Sequence, residues 1–270
     1  MGMETVLELE EVSLIRGGAQ IIKEASARFQ ECRATFFLGP SGSGKSTLLK
    51  IAAGIIPPEN GKVYYRGSDI FQMSEMENRN FRRRCGFVFQ DGALWANRSI
   101  WENLSLPLEY HYPGLDKKER GRRIEKAISQ IGFRDNPQLR PAQLSGGECK
   151  MIGFMRALIT DPDILFLDTP TGNVDTNIAA RMRNIMKSLK EQGKTLFICS
   201  HDKELISAIA DDLMIIDSGT ILSHGPLRDV LSGEDETVKE IIGTVVDADS
   251  ILGDDLLQLL SPEGENPFDI

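Results

Sequence analysis

The sequence has 270 residues, of which 41% are hydrophobic and 26% are charged, a composition that is ordinary for a globular protein of one or two domains. No apolar run approaches the length that crosses a bilayer, the first residues lack the regions of a signal peptide, and the four cysteines show no C-x-x-C spacing. We therefore expect a protein of a reducing cytoplasm, without a zinc site, a disulfide scaffold or a membrane span of its own.

The net charge of −9 is unevenly distributed along the chain. From residue 229 to the end, twelve acidic residues stand against one Lys, whereas the rest of the chain has 28 acidic and 30 basic residues and a net charge of +2. A nucleic-acid-binding protein carries a concentrated basic face. The basic run at residues 82–84 is expected to be the solvated end of a helix over 74–84, with phosphate contact as the alternative. Nucleic acid is therefore not an expected partner.

Two predicted strands precede the most informative stretch. Residues 6–12 alternate as a half-buried strand does, and residues 21–29 predict a second strand at a sheet edge. Residues 34–38 predict a short buried strand, and a helix is predicted after Thr47. Between them, Gly39–Thr47 contains G-x-x-x-x-G-K-S, so the order strand, loop and helix is that of the Walker A phosphate loop. A glycine-rich turn that fits this pattern by chance is the alternative.

A Walker A loop binds a nucleoside triphosphate through its backbone. Its glycines let N–H groups point inward, where they and the positive end of the next helix cradle phosphate oxygens. We expect Lys45 to reach the β- and γ-phosphates and the Ser46 hydroxyl to bind Mg²⁺. The residues predicted to bind nucleotide here are Gly39, Ser41, Gly42, Ser43, Gly44, Lys45, Ser46 and Thr47.

Downstream, strand and helix patterns alternate. Residues 62–66 and 85–89 predict strands, and 91–160 predict helices, of which Asp116–Ile131 has the clearest apolar face. Asp163–Asp168 is a continuous apolar run, typical of a central parallel strand covered on both faces. The remaining predictions are a helix over 176–191, a strand over 195–200 and a hairpin of residues 212–217 and 220–223.

Four further features narrow the class of nucleotide-binding protein. Asp168 ends an apolar strand, where it can hold Mg²⁺ directly or through water, and Gln90 can coordinate Mg²⁺ or the attacking water. Leu144–Glu148 precedes a helix predicted over about 149–159, and its glycines leave N–H groups free as a second anion site. His201 follows a strand and can hydrogen-bond a γ-phosphate. Singly, His201 would be structural and Gln90 a surface residue.

Together these motifs resemble the ATP-binding subunit of an ABC transporter, over roughly residues 4–228. The resemblance adds a D-loop at Asn173–Asp175. It implies an α/β P-loop fold with a mainly parallel core sheet and helices on both faces, an antiparallel β subdomain and a helical subdomain at about 91–160. It further implies ATP and Mg²⁺ as cofactors. Its implied catalytic residues are Gln90, Asp168, Thr169 and His201, its implied metal ligands are Ser46, Gln90 and Asp168, and its implied nucleotide contacts outside the loop are Arg16, Ser145, Gly146, Gly147, Glu148 and Asp175.

The resemblance also implies partners. In that family two subunits pack head to tail, and each ATP lies between the Walker A loop of one and the Ser145–Gly147 segment of the other, for which a homodimer is the expectation. An integral-membrane permease then holds the protein at the cytoplasmic face of the inner membrane. The permease's coupling helix enters a groove beside Gln90, which Leu94, Trp95 and Trp101 are candidates to line, although buried core is the favoured interpretation of each taken alone.

Three positions depart from the family pattern. Thr169 stands where the family has the glutamate that polarises the attacking water, and a hydroxyl is a poor base at neutral pH. Either hydrolysis is slow, or His201 and Gln90 position the water, or the threonine is an engineered substitution. Arg16 replaces an aromatic residue near the adenine, where it either stacks on the base or faces solvent. Glu148 replaces glutamine; its charge is favourable at a helix amino terminus but would repel a bound phosphate.

The sequence resembles two different groups of ABC ATPases, so more than one transport system remains open. Asp91–Leu104, together with Phe89–Leu94 and the pair Arg16–Gly17, resembles the Mla/Mce ATPases, which move phospholipids in bacterial envelopes. Thr171–Asp175 resembles instead the lipoprotein-release and cell-division ATPases, which we weigh below the lipid-transport interpretation. A motor that hydrolyses ATP in every cycle and an ATP-gated clamp that hydrolyses rarely both stand. Thr169 favours the clamp, and the complete remainder of the site favours the motor.

The acidic segment 229–270 is predicted to be an extension with two short amphipathic helices. Apolar residues recur at helical spacing over 238–245 and again over 251–260, with breaks near Gly243 and Gly253. Residues 261–267 are predicted to be mobile. Such helices suit docking on the body or on a neighbouring subunit, so we expect the extension to stabilise the dimer or to bind an accessory subunit.

Overall fold

The computed structural model describes residues 4–133 and 135–245, and this part of the chain contains ten strands and nine α-helices. The strands are β1 (Thr5–Arg16), β2 (Ala19–Gln30), β3 (Ala34–Leu38), β4 (Asn60–Tyr65), β5 (Ser68–Asp69), β6 (Cys85–Val88), β7 (Ile164–Asp168), β8 (Thr195–Cys199), β9 (Asp212–Asp217) and β10 (Thr220–Pro226). The helices are α1 (Lys45–Ala52), α2 (Glu75–Arg84), α3 (Ile100–His111), α4 (Lys117–Gln130), α5 (Gly146–Leu158), α6 (Thr176–Glu191), α7 (Lys203–Ile209), α8 (Leu227–Leu231) and α9 (Glu236–Val245).

The first sheet is antiparallel and has the strand order β2-β1-β4-β5. Its strand β2 lies at the edge, as the sequence predicts. The tip of the β1–β2 hairpin is formed by the two glycines after Arg16, both of which have positive φ angles. The two-residue strand β5 was not predicted, because so short a segment carries no period-2 pattern.

The second sheet has the order β10-β9-β3-β8-β7-β6 and is parallel except for the β9–β10 hairpin. Every residue of β3, β7 and β8 is buried, because helices or the first sheet cover both faces of these strands. The predicted α/β fold with a mainly parallel core sheet and an antiparallel β subdomain is therefore confirmed. Since β8 lies between β3 and β7, the segments that follow these three strands emerge at one edge.

Aromatic side chains hold the two sheets together. Phe29 of the first sheet packs edge-on against Phe197, with the ring centroids 5.0 Å apart, and Phe197 stacks on Phe166 at the same centroid distance. Such pairs contribute about 0.5–1.5 kcal/mol each beyond the burial of their area. This packing fixes the β1–β2 hairpin beside the loop that follows β3.

The segment 91–160 contains α3, α4 and α5, as predicted. Asp116 caps α4, and the apolar stripe of α4 buries Ile124 and Ala127 against the neighbouring helices. Helix α5 begins at Gly146 rather than at about 149, because Ser145 and Glu148 form a capping box that starts it earlier. The predicted start of α5 was therefore three residues late. Helices α7 and α8 were not predicted, since 7 and 5 residues show too little periodicity.

The carboxy-terminal helices that the structure describes dock on the body. Helix α8 spans the predicted boundary at residue 228, and its Val230 and Leu231 belong to the core cluster. Helix α9 buries Val238, Ile241 and Ile242 in the same cluster, so the first of the two predicted amphipathic helices packs on this chain itself. The second, over 251–260, and the segment 261–267 lie outside the described residues.

We expect Ile242→Ala to lower the free energy of unfolding by about 2–5 kcal/mol, because a fully packed side chain would be replaced by a cavity. Urea denaturation followed by circular dichroism measures the change. Glu240→Ala on the exposed side of the same helix is the matched control and should change it by less than about 0.5 kcal/mol. Equal effects of the two substitutions would show that α9 does not contribute through its buried face.

Candidate nucleotide-binding site

The loop after β3 has the backbone that a phosphate cradle needs. Gly39, Gly42 and Gly44 have φ angles of 149°, 80° and 102°, which side-chain-bearing residues rarely adopt. A Cβ atom at Gly39 would lie 1.9 Å from the carbonyl oxygen of Ile216, so no other residue fits there. The loop leads directly into α1, whose amino-terminal N–H groups point toward it. The predicted strand–loop–helix unit is therefore present.

Lys45 lies inside the curve of this loop. Its Nζ donates hydrogen bonds to the carbonyl oxygens of Gly39 and Pro40, at 2.7 and 2.6 Å. Burial lowers the pKa of Lys45, and the carboxylate of Asp168 acts in the opposite direction. The ammonium group is thus held by carbonyl oxygens of the same loop whose N–H groups would bind phosphate oxygens.

The structure brings together two predicted metal ligands that are 122 residues apart in the chain. Ser46 Oγ donates a hydrogen bond to Asp168 Oδ1 at 2.7 Å, and Asp168 is only 1% exposed. Lys50 Nζ, one turn further along α1, lies 3.8 Å from Asp168 Oδ2. A hydroxyl and a carboxylate beside a phosphate loop are the oxygen ligands that Mg²⁺ takes in nucleotide sites, so these residues fit the ion.

Thr169 occupies an unusual turn immediately after Asp168. Its φ angle is 50°, which is an outlier for a β-branched residue and costs roughly 1–3 kcal/mol. Its N–H donates to the carbonyl of Cys199 at 2.8 Å, and its own carbonyl accepts from Lys150 Nζ at 2.6 Å. The sequence predicts Thr169 in the site but not Lys150, whose signal is a charged residue directly before the apolar stretch 151–155 of α5.

Gln90 and His201 follow β6 and β8, which lie on either side of β7 in the same sheet. Gln90 comes two residues after the end of β6, which pairs in parallel with β7, and its side chain is exposed. His201 follows β8, and partial burial together with the charge of Lys45 lowers the pKa of its imidazole. This shift favours the neutral imidazole, which donates a hydrogen bond from one ring nitrogen and accepts one at the other.

The segment Ser145–Gly147 forms the amino terminus of α5. Ser145 Oγ accepts a hydrogen bond from the N–H of Glu148, and Glu148 Oε2 accepts from the N–H of Ser145 at 2.8 Å. Ser145 and Gly146 are exposed, so this helix end is open to solvent. The pattern S-x-x-E could have predicted the capping box, and with it the start of α5.

Glu148 is held by this box in its charged form. The hydrogen bonds from the Ser145 hydroxyl and the Ser145 N–H lower the pKa of Glu148. Because the folded-state pKa lies below the unfolded value, the contribution to stability is present at neutral pH and is lost as the pH falls through the folded-state pKa. A negative charge thus lies at the helix end that is predicted to meet phosphate.

The last two predicted nucleotide contacts have different surroundings. Asp175 caps α6 by accepting from the N–H groups of Asn177 and Ile178, both at 2.9 Å, and it lies beside Gly147. The predicted D-loop and signature segment are therefore neighbours in one chain. Arg16 ends β1 at the exposed hairpin tip, next to the strand that packs on Gly44. Its contact with adenine stays a prediction.

Comparison with known proteins agrees with this geometry. A family model described as ABC transporter matches residues 22–172. The cell division ATP-binding protein FtsE of Escherichia coli (strain K12) is 33% identical over 209 residues, which are 77% of this chain and 92% of FtsE. The methionine import ATP-binding protein MetN of Rhizobium meliloti (strain 1021) is 32% identical over 210 residues, which are 77% of this chain and 58% of MetN.

A solved structure gives the same result. A dimeric structure of the ATP-binding cassette MJ0796 in a post-hydrolysis state, bound to ADP and Pi, superposes with a TM-score of 0.75 at 28% identity, covering 82% of this chain and 98% of that one. Among the described residues, no helix is long and apolar enough to cross a membrane. The chain belongs to the ABC transporter family and is one of its ATP-binding ATPase subunits.

Proposed function

We propose that this chain couples the binding and hydrolysis of Mg-ATP to transport by a separate integral-membrane permease, at the cytoplasmic face of an inner membrane. The observation that carries the proposal is the 2.7 Å contact of Ser46 with Asp168 beside the phosphate loop. Lys45, Ser46 and the loop N–H groups would hold the triphosphate. Mg²⁺ would be held by Ser46, Asp168 and Gln90, and it would neutralise charge on the phosphates when bound.

The proposed site is completed by a second copy of the chain. The open amino terminus of α5 at Ser145–Gly147 presents N–H donors to solvent, and these would close on a triphosphate held by the partner's loop. ATP would then hold the two subunits together, and loss of the γ-phosphate contact would release them. Light scattering with and without a slowly hydrolysed ATP analogue tests this, and a chain that stays monomeric at saturating nucleotide would contradict it.

We expect Glu148→Gln to strengthen ATP-dependent dimerisation by up to about tenfold. Glutamine can keep the capping box, while the negative charge beside the bound phosphate is removed, an effect of roughly 1 kcal/mol for unit charges about 4 Å apart that are screened by bulk water. The dimer dissociation constant at saturating ATP is the measurement. Glu125→Gln on the exposed side of α4 removes the same charge elsewhere and is the control. Weaker dimerisation of Glu148→Gln would contradict a repulsive role for this residue.

The proposal includes slow turnover, as in a clamp that ATP binding closes and hydrolysis resets. The support is Thr169, which offers no carboxylate next to Asp168. Measuring the ATPase rate together with ATP-dependent dimerisation distinguishes this clamp from a motor that hydrolyses ATP in every cycle. Fast turnover of the unsubstituted protein would exclude the rare-reset clamp and favour a motor that hydrolyses ATP in every cycle.

Exposure near Gln90 supports the proposed contact with a permease. Trp95 is 59% exposed, which is unusual for a large apolar side chain, whereas Leu94 and Trp101 are partly buried against the core. Of the three predicted groove residues, Trp95 is therefore the one available for contact. Membranes of the source cell provide the test: the permease should copurify with the wild-type chain and be lost with Trp95→Asp.

We propose phospholipid of a bacterial envelope as the cargo, on the resemblance of Asp91–Leu104 to Mla/Mce ATPases. A lipoprotein-release or cell-division role is the second candidate, favoured by Thr171–Asp175 and by the 33% identity to FtsE. The copurified permease, reconstituted between two vesicle populations, decides between them. ATP-dependent transfer of labelled phospholipid supports the first role, and its absence supports the second.

The acidic extension is proposed to bind an accessory subunit or to stabilise the dimer. Since α8 and α9 pack in the core, a chain that ends at Val245 removes the last 25 residues without cutting into the described helices. We expect this truncation to keep its melting temperature while losing partner retention or dimer affinity. Unchanged dimerisation and unchanged partners would show that residues 246–270 have neither role.

A further inference from the structure

Helix α5 carries a buried lysine next to the turn that follows β7. Lys150 is 4% exposed, and its Nζ donates to the carbonyl oxygens of Thr169 at 2.6 Å and Gly172 at 2.5 Å. Burial lowers the pKa of Lys150, and the carboxylates of Asp168 and Asp91 oppose this shift. Lysine is almost never fully buried without a partner group, and the partners of this ammonium are the two carbonyl oxygens. Lys150 therefore makes specific polar contacts with this turn in addition to packing.

The two carbonyls belong to a tight turn. Thr169 has a φ angle of 50° and Asn173 one of 57°, and the N–H of Gly172 donates to the carbonyl of Thr169 at 3.2 Å. A Cβ atom at Gly172 would lie 2.6 Å from Thr169 Cγ2, which leaves no free space inside the turn. A cation that donates hydrogen bonds to both carbonyl oxygens therefore stabilises a conformation that Thr169 does not favour by itself.

The same helix is also fastened to the loop that follows Gln90. A Cβ atom at Gly153 would lie 2.4 Å from the carbonyl oxygen of Gly92, so α5 and this loop touch backbone to backbone. Arg156 donates to the carbonyls of Ala93 and Gly92, at 2.9 and 3.2 Å. Helix α5 thus contacts both loops of the proposed hydrolysis site, and its amino terminus carries the proposed anion site for the second ATP.

We propose that Lys150 is a positioning residue for ATP hydrolysis. Its two hydrogen bonds connect the turn over residues 169–173, the Thr169 turn, to α5, so that this turn and the helix end at Ser145–Gly147 move as one unit. The inference rests on the proposed function, because it assumes that Thr169 and the helix end face nucleotide. In the proposed dimer, ATP that contacts the amino terminus of α5 in one nucleotide site thereby sets the position of the Thr169 turn beside Asp168 in the other nucleotide site. A displacement of about 1 Å at such a turn is enough to lower a rate about 100-fold.

The first test is steady-state kinetics of the full-length chain. Lys150→Met should lower kcat for ATP about 10- to 100-fold with KM changed less than about twofold, because the phosphate loop is untouched. Lys150→Gln, whose amide can donate to both carbonyls, should recover part of the loss. Lys190→Met is the matched control, since Lys190 of α6 also donates to a backbone carbonyl, that of Cys32 at 2.7 Å, and should keep the wild-type rate.

A second experiment distinguishes a positioning role of Lys150 from a general loss of stability of the folded chain. If Lys150 acts through the Thr169 turn, Lys150→Met should cause a larger fold-loss of kcat in a Thr169→Glu background than in the unsubstituted chain, since a carboxylate there depends more on its placement. Equal fold-losses in the two backgrounds, or no effect on kcat, would overturn the inference.

Amide hydrogen exchange gives a readout that does not depend on turnover. With a slowly hydrolysed ATP analogue, the amides of Thr169 and Gly172 should exchange at least about tenfold faster in Lys150→Met than in the wild type, whereas Lys190→Met should leave them protected. Unchanged protection would overturn the inference. Wild-type turnover below detection would contradict the hydrolytic step of the proposed function, and the exchange result would then decide the role of Lys150 separately.

Discussion

Replacing Thr169 by glutamate is expected to raise the rate of ATP hydrolysis by about 10²–10⁴-fold, the range that a positioned general base contributes. Thr169 follows Asp168 directly, and its backbone is held by a 2.8 Å hydrogen bond to the carbonyl of Cys199, so a longer acidic side chain would start from the same place. Glutamate is not β-branched, so it tolerates the φ angle of 50° better than threonine does.

Thr169→Gln is the control for this prediction. It has nearly the shape of glutamate but lacks a base, so it should leave the ATPase rate within a few fold of the wild type. The measurement is phosphate release at saturating Mg-ATP, with the melting temperature recorded for each variant. If Thr169→Glu hydrolyses ATP no faster than Thr169→Gln, the missing carboxylate is not what limits this protein, and His201 and Gln90 become the candidates for positioning the water.

Replacing Lys45 by methionine is expected to lower kcat/KM for ATP by at least about 10²–10³-fold, the effect of removing one preorganised donor from developing charge. The ammonium lies within the loop, bonded to the carbonyls of Gly39 and Pro40, and methionine keeps most of its volume without its charge. Equilibrium binding of a fluorescent ATP analogue and phosphate release together separate lost affinity from lost turnover.

Lys62→Met, at an exposed position of β4, is the control for the loss of one positive charge. It should bind and hydrolyse ATP as the wild type does. If Lys45→Met kept the wild-type affinity and rate, the loop would not be the triphosphate site. The assignment of Asp168 and Ser46 as ligands of Mg²⁺ would then also be contradicted.

Much of the fold could be predicted from the sequence. The fully buried strands β3, β7 and β8 are recognisable in the sequence because strands covered on both faces contain few polar residues. Helices α4 and α6 were recognised because each is long enough to repeat an apolar stripe several times. The short elements β5, α7 and α8 were missed for the opposite reason, since too few residues repeat to show a period.

Some parts of the candidate site can be predicted from the sequence, and others depend on contacts that only folding creates. The residue types of Gly39–Thr47 and Ser145–Gly147 follow from local backbone chemistry, because glycine adopts left-handed turns at the lowest cost and the free N–H groups of a helix amino terminus attract phosphate. These parts were therefore visible in the chain itself. The role of Lys150 was not visible, because its two carbonyl partners lie 19 and 22 residues away and become neighbours only through folding.

By itself, the sequence determined the phosphate loop, the buried strands, the missing carboxylate at position 169 and the acidic end of the chain, because each of these depends on residue type and short-range spacing. Tertiary structure alone decided that Ser46 meets Asp168, that Lys150 fastens the Thr169 turn to α5, and that α9 packs on this chain. The physical reason is that strand order, with β8 inserted between β3 and β7, is settled by the packing of the whole sheet and its helices, and no local pattern encodes it.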